Sequence, residues 1–322
     1  MPLFIREQDV RRLLTMGEAL DAVEEAFQLQ GLGKADNHPR QRPRLERTML
    51  QVMPAALPSI GFGLKAYTVA SHGVRFVILL WDSETGDLQA VIEAGHMGQM
   101  RTGAASGVAT KHLARSDAAT VGIFGTGTQA PTQLEAVCAV RPIEHVWAYS
   151  ATPEHRQRFA EEMTVRLGVT VEAVTTPRVV VADADVVITI TKATEPLFDG
   201  DWLRPGAHVN AAGSNRAAAR EIDVRTVARA DLVTIDDRAQ GRVEAGDLIA
   251  AVERGALTWD DVTELGQVVA GTHEGRRHPD DVTLFDSGEV GRTTFANRTD
   301  ADAVDILPGV VRHEAERRAK AF

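Results

Sequence analysis

Thr120-Val121-Gly122-Ile123-Phe124-Gly125-Thr126-Gly127-Thr128-Gln129-Ala130-Pro131-Thr132-Gln133-Leu134-Glu135-Ala136-Val137-Cys138 is a short apolar run, a glycine turn and a helical pattern in immediate succession. The apolar run Val121–Phe124 stops at Gly125, and Leu134, Val137 and Cys138 then fall on one side of a helix. In such a turn the first glycine permits the tight bend and the second lets the backbone approach a pyrophosphate; a small third residue, here Ala130, lets helix and strand pack. Pro131 suits a first helical turn, where its missing N–H is not needed. The free N–H groups and the dipole at such a helix start attract phosphate. Gly125, Thr126, Gly127, Thr128 and Gln129 are therefore the expected contacts of a bound dinucleotide. The competing reading is an ordinary glycine turn between a strand and a helix.

The chain has 322 residues, enough for about two domains. Its 44% hydrophobic and 25% charged content is that of an ordinary globular protein with a sizeable core. A net charge of −10 with no basic run argues against a nucleic-acid partner. The single cysteine, Cys138, excludes an internal disulfide and fits a reducing compartment. No segment approaches the length of an apolar membrane span, and residues 1–12 lack an apolar signal core. The expected location is cytoplasmic, and no metal site is expected.

Thr15–Gln30 reads as a helix, with Thr15 and Glu18 spaced as a capping box and Leu20, Val23 and Phe27 as its apolar stripe. The loop Asn37–Arg44 holds Arg40, Arg42 and Arg44; it can deliver an arginine to a pocket or be simply solvated. Met49–Met53, Gly63–Val69, Val74–Trp81 and Leu88–Glu93 read as strands of a mostly antiparallel sheet, with a hairpin at Ser83–Gly86. His96–Leu113 is a helix rich in Gly and Ala, which implies close approach by a neighbouring element. From Ala119 onward strands alternate with helices. The strands are Ala119–Phe124, His145–Tyr149, Thr170–Ala173, Asp185–Ile190, His208–Ala211, Leu232–Ile235 and Val282–Phe285; the helices include Pro153–Leu167 and Asp260–Val269. That alternation predicts an α/β fold with a doubly wound parallel sheet.

The second of these strands ends at Tyr149-Ser150-Ala151-Thr152, where an NAD-binding chain places a carboxylate on the adenosine ribose. Ser150 in that position, with Arg156 nearby, leans the cofactor toward NADP(H). Arg156 also fits a solvated helix position. Asn210 and Thr189 end their strands at the sheet's carboxyl edge, where they can face the nicotinamide or cap a turn.

Several stretches, taken in order, resemble the ornithine cyclodeaminase/μ-crystallin family. They are Pro39-Arg40, Met53-Pro54, Gly63-Leu64-Lys65, Arg101–Ala105, Gly125–Ala130, Pro205–Asn210, Glu221-Ile222, Glu244–Leu248 and Val282–Ser287. The resemblance implies a homodimer. Each subunit would have an α+β substrate and dimerisation domain over 1–114, completed by a C-terminal helix at 295–322, and a Rossmann domain over 115–294. It implies that Arg40, Lys65 and Arg101 hold a substrate carboxylate and that Ser287 joins the cofactor contacts. The residue types agree, since a guanidinium grips a carboxylate through paired charge-assisted bonds. Without the resemblance Arg101 is equally a salt-bridge partner. Lys65, on a strand of apolar neighbours, is the first choice of proton donor. Family activities include ornithine cyclodeamination with bound NAD, alanine dehydrogenation and NADPH-dependent reduction of imino acids; one branch binds small ligands without turnover.

Three departures shape the expected activity. Asn215 stands where cyclodeaminases carry an aspartate, and an amide is no general base near neutral pH. Gln51 replaces a glutamate two residues before Met53-Pro54. After Ser287 the sequence Gly288-Glu289-Val290-Gly291-Arg292 leaves the family pattern, which puts closure of the pocket by the tail in question. The expected function is an NAD(P)H-dependent oxidoreductase on a small α-imino or α-amino acid, with Lys65, Arg40, Arg101 and Asn215 around the substrate. The alternatives are an ornithine cyclodeaminase and a non-catalytic NADP(H)- or ligand-binding protein.

Overall fold

A computed structural model describes residues 2–58, 61–71 and 73–288. The chain forms two compact units that divide at Arg101 and Thr102.

The first unit contains β1 (Leu3–Ile5), α1 (Glu7–Leu13), α2 (Met16–Gly31), β2 (Asp36–Asn37), β3 (Met49–Leu57), β4 (Gly61–Ala70), β5 (Gly73–Trp81) and β6 (Leu88–Glu93). Its sheet runs β1-β6-β5-β4-β3-β2. β1 is parallel to β6 and the other pairs are antiparallel. β1 and β2, only three and two residues long, carry too little pattern to be read from sequence. α2 opens on the expected capping box: the Thr15 hydroxyl accepts the Glu18 N–H and the Glu18 carboxylate accepts the Thr15 N–H at 2.8 Å. Asp82 shapes the β5–β6 hairpin by accepting the Glu84 and Thr85 N–H groups. Side chains alternate across a strand, so the register sorts them into ranks. Met53, Lys65, Ile78 and Ile92 form one fully buried rank across β3, β4, β5 and β6. Gln51, Tyr67 and Phe76 form the next rank on that face. The opposite face is also apolar, with Pro54, Leu64, Leu79 and Val91 aligned across it.

The dividing point lies within α3 (Gly95–Leu113), and the expected boundary at 114–115 lies just past that helix's end. The second unit continues with β7 (Thr120–Phe124), α4 (Ala130–Val140), β8 (His145–Tyr149), α5 (Pro153–Leu167), β9 (Thr170–Ala173), α6 (Pro177–Ala182), β10 (Val186–Thr189) and β11 (His208–Ala211). Then come α7 (Val224–Arg229), β12 (Leu232–Ile235), α8 (Arg238–Glu244), α9 (Gly246–Glu253), β13 (Val262–Glu264), α10 (Leu265–Val269) and β14 (Thr283–Asp286). All eight strands are parallel, in the order β9-β8-β7-β10-β11-β14-β12-β13. This is an α/β protein with a Rossmann-type sheet and a mixed N-terminal sheet. A C-terminal helix at 295–322 lies outside the described residues.

Asp260–Val269 corrects the sequence reading. Its first part is strand β13, and only Leu265–Val269 is helical. Three residues are too few to show a period of two, yet Val262 and Thr263 are β-branched and pair with Val233 and Thr234 at the sheet edge. The small residues of α3 do mark a close approach. A Cβ on Gly103 would run into the Thr132 carbonyl of α4, and the Gln133 side chain donates to the Thr102 carbonyl at 3.1 Å. Gly103→Ala is expected to cost about 1–3 kcal/mol through overpacking. Gly17→Ala, exposed in α2 with no described atom within 4 Å of its Cβ, is expected to be neutral or slightly stabilising. Thermal unfolding of the two variants checks this; equal effects would contradict it.

Candidate active site

β7 and β10 are neighbours, yet the chain leaves β7 in one direction across the sheet and reaches β10 in the other. Loops after them therefore part and leave a crevice at the carboxyl edge, the place where open α/β sheets bind ligands. A cleft of about 920 Å³ lies there, within the range of small-molecule and cofactor sites. Gly125, at φ 101°, makes the turn after β7. A Cβ there would strike the Ile190 carbonyl, so only glycine fits. A Cβ on Gly127, by contrast, meets no described atom within 4 Å. Thr126, Thr128 and Gln129 line the same wall ahead of α4, and Gln129 Oε1 is buried without a hydrogen-bond partner.

Beyond β8 the wall is Tyr149, Ser150, Ala151, Thr152 and His155. Arg156 does not line it; its guanidinium donates to the Ser150 carbonyl at 2.8 Å and lies 5.9 Å from the Tyr149 ring centre. Beyond β10, β11 and β14 the wall is Thr191, Lys192, Gly213, Asn215 and Ser287. No Asp or Glu is among the described lining residues, although the chain carries a net charge of −10. A neutral-to-cationic groove with open backbone at a helix start fits a pyrophosphate.

Two residues expected to face the nicotinamide do not. Asn210 is fully buried, donates to Thr110 Oγ1 at 2.9 Å and contacts His208 Nε2 at 3.2 Å. Thr189, also fully buried, donates to Glu221 Oε2 at 2.9 Å. Both side chains stand perpendicular to the sheet, where a buried polar group must find partners in the layers beneath; the cleft opens beyond the strand ends. Thr191, two residues past Thr189, does reach the cleft. Burial, reinforced by Arg276, lowers His208 to about 3, so that imidazole stays neutral.

A second cluster lies in the first unit. Lys65 is fully buried between Met53 and Ile78, and its ammonium sits 5.4 Å from the ring centres of both Tyr67 and Phe76. Arg40 Nη1 donates to Gln51 Oε1 at 3.1 Å and to Tyr67 Oη at 3.0 Å, and the Tyr67 hydroxyl donates to Gln51 Oε1 at 2.7 Å. Gln51 thus presents a neutral amide oxygen to Arg40. Arg101 is buried on α3 at 3% exposure. Tyr67 and Phe76 were missed in the sequence. The period of two that puts residue 67 on the face of Lys65 was their signal. Among the described residues no group of His, Cys, Asp or Glu is arranged to hold a metal ion, and no helix is long and apolar enough to cross a membrane.

A Rossmann cleft suited to a dinucleotide, on a chain that also buries a lysine–arginine cluster, defines the class as NAD(P)-binding α/β proteins. Within it, the chain belongs to the ornithine cyclodeaminase/mu-crystallin family, whose model matches residues 2–293. It is 35% identical over 295 residues to an alanine dehydrogenase of Archaeoglobus fulgidus, covering 88% of this chain and 89% of that protein. Among solved structures it resembles the Δ1-pyrroline-2-carboxylate reductase of Thermococcus litoralis in complex with NADH and L-proline, at TM-score 0.89, 34% identity and 98% coverage of both chains. An archaeal alanine dehydrogenase dimer with bound NAD matches at TM-score 0.89 and 31% identity, covering 98% of this chain and 97% of that one.

Ser287 follows Asp286, whose carboxyl is held well above the usual carboxylate range by burial and then by Asp247, Asp236 and Glu221. The folded state therefore binds this proton more tightly than the unfolded chain. The stability it gives is complete below about pH 4 and is lost as pH rises toward the folded value. Asp286→Asn, which cannot ionise, is expected to gain stability relative to the parent chain as pH rises from 5 to 8. Urea unfolding at the two pH values measures it; a pH-independent difference would contradict the assignment.

Proposed function

We propose that this protein is an NAD(P)H-dependent oxidoreductase of CH–NH and CH–NH2 groups, acting on a small α-imino or α-amino acid. The observation that carries the reading is the cationic cluster around Lys65. Lys65 is fully buried beside two aromatic rings and the Arg40–Gln51–Tyr67 network, a place that few lysines occupy. Such a group is retained where chemistry needs it. The names of the relatives, a dehydrogenase and a reductase of amino and imino acids, support the same class. Gln51 and Asn215 supply amides where a cyclodeaminase carries carboxylates, which favours reduction over cyclodeamination.

In this reading Arg40, Lys65 and Arg101 fix the substrate carboxylate. Tyr67 and Gln51 set the direction of the Arg40 guanidinium. A bound nicotinamide supplies the hydride. Lys65 delivers the proton to the imine nitrogen, so C=N becomes CH–NH with one hydride at carbon and one proton at nitrogen. Gly125, Thr126, Gly127, Thr128 and Gln129 hold the pyrophosphate, and Asn215 and Ser287 border the nicotinamide end. NADP(H) is the preferred cofactor: the end of β8 offers Ser150 and His155 and no carboxylate, with Arg156 bonded to the Ser150 carbonyl. The active form is a homodimer. Support comes from the apolar outer face of the first sheet, where Phe62 is 54% and Leu50 40% exposed, and from the dimeric relative.

The test is cofactor oxidation with cyclic α-imino acids, and with pyruvate or glyoxylate plus amines. Turnover is expected, with tighter binding of NADPH than of NADH. Lys65→Met is expected to lower kcat by about 10²–10⁴-fold while leaving the cofactor Kd unchanged. No turnover across the panel with cofactor bound, or full activity in Lys65→Met, would overturn the reading.

A further inference from the structure

Glu221 is a buried carboxylate that the proposed chemistry does not use. It is fully buried, and its two oxygens meet four donors from the end of β10 and from the loops after β10 and β11. Oε1 accepts the Thr191 N–H and the Thr191 hydroxyl, both at 2.6 Å. Oε2 accepts the Gly213 N–H at 2.7 Å and the Thr189 hydroxyl at 2.9 Å. Thr191 belongs to the loop after β10 and Gly213 to the loop after β11, and both line the cleft. Glu221 thus adds a side-chain tie between the loops that follow two paired strands.

The tie is itself anchored. Asp247, in the first turn of α9, accepts the backbone N–H of Glu221 at 2.8 Å and of Ile222 at 3.0 Å. The space at Gly213 is shaped to the same end. A Cβ there would fall against both Glu221 carboxylate oxygens and the Thr191 nitrogen. The Glu221-Ile222 and Glu244–Leu248 motifs thereby find a shared structural role.

Resting on the reading of this cleft as a dinucleotide site, we propose that Glu221 is the positioning residue of its nicotinamide half, braced by Asp247. It touches neither substrate nor cofactor. It acts by fixing the Thr191 and Gly213 backbones, which lie on the opposite side of β7 from the Tyr149–Thr152 wall. Chemistry at this position demands an acceptor on both oxygens. In Glu221→Gln, whichever way the amide turns, its NH2 faces either the Thr191 N–H or the Gly213 N–H, and one loop is pushed away.

Loss of this brace therefore acts on one half of the cofactor and spares the other. NADPH, followed through the fluorescence of its reduced nicotinamide, is expected to bind Glu221→Gln about tenfold more weakly than the parent, the equivalent of about 1.4 kcal/mol. The adenosine fragment 2′,5′-ADP, followed by calorimetry, is expected to keep its affinity within about twofold. NADH with ADP-ribose forms the parallel pair. Gly213→Ala, which crowds the same carboxylate without changing any charge, is expected to reproduce the pattern and serves if Glu221→Gln does not fold. Equal weakening of whole cofactor and fragment, or no change in either, overturns the proposal. A parent protein that binds neither dinucleotide nor fragment instead overturns the cofactor reading beneath it.

Discussion

Eight parallel strands send all their carboxyl ends to one edge, and the second unit's function follows from that constraint. A parallel sheet must return the chain over its faces, so the loops at that edge are free of crossover helices only where the strand order reverses. The reversal lies between β7 and β10. Gly125, Thr191 and Gly213 sit at this edge, on the turns and loops that follow β7, β10 and β11. The absence of Asp and Glu among the described lining residues, with the open approach at Gly127, suits an anionic ligand on a helix N-terminus.

The first unit solves a different problem. Its sheet carries one charged rank member, Lys65, among Met53, Ile78 and Ile92. Two aromatic faces and a polar triad of Arg40, Gln51 and Tyr67 surround that rank, and they make the cation tolerable where water is excluded. Gln51 offers Arg40 a neutral amide oxygen where a glutamate would offer a carboxylate.

Legibility in the sequence followed the length and regularity of each signal. The glycine turn, the capping box at Thr15 and the alternation of strand and helix after Ala119 were all plain, since each is local and redundant. β13 was not, because three residues cannot display a period. Asn210 and Thr189 were misplaced for a related reason. Being near a strand end does not say whether a side chain meets the cleft or the helix layer; only the partners, Thr110 and Glu221, decide that. The role of Glu221 is non-local, joining residues 191, 213 and 247, and no pattern along the chain encodes it. Tyr67 lay within reach of the period of two.

The central claim is that a hydride enters the substrate at the carbon bearing nitrogen and leaves the cofactor oxidised. The direct measurement is reduction of a cyclic α-imino acid with 4-deuterated NADPH or NADH, followed by mass and NMR analysis of the amino acid formed. One deuterium at the α-carbon, with one equivalent of cofactor oxidised, is the expected result. Conversion of ornithine to proline with ammonia release and no net change in the cofactor would contradict it.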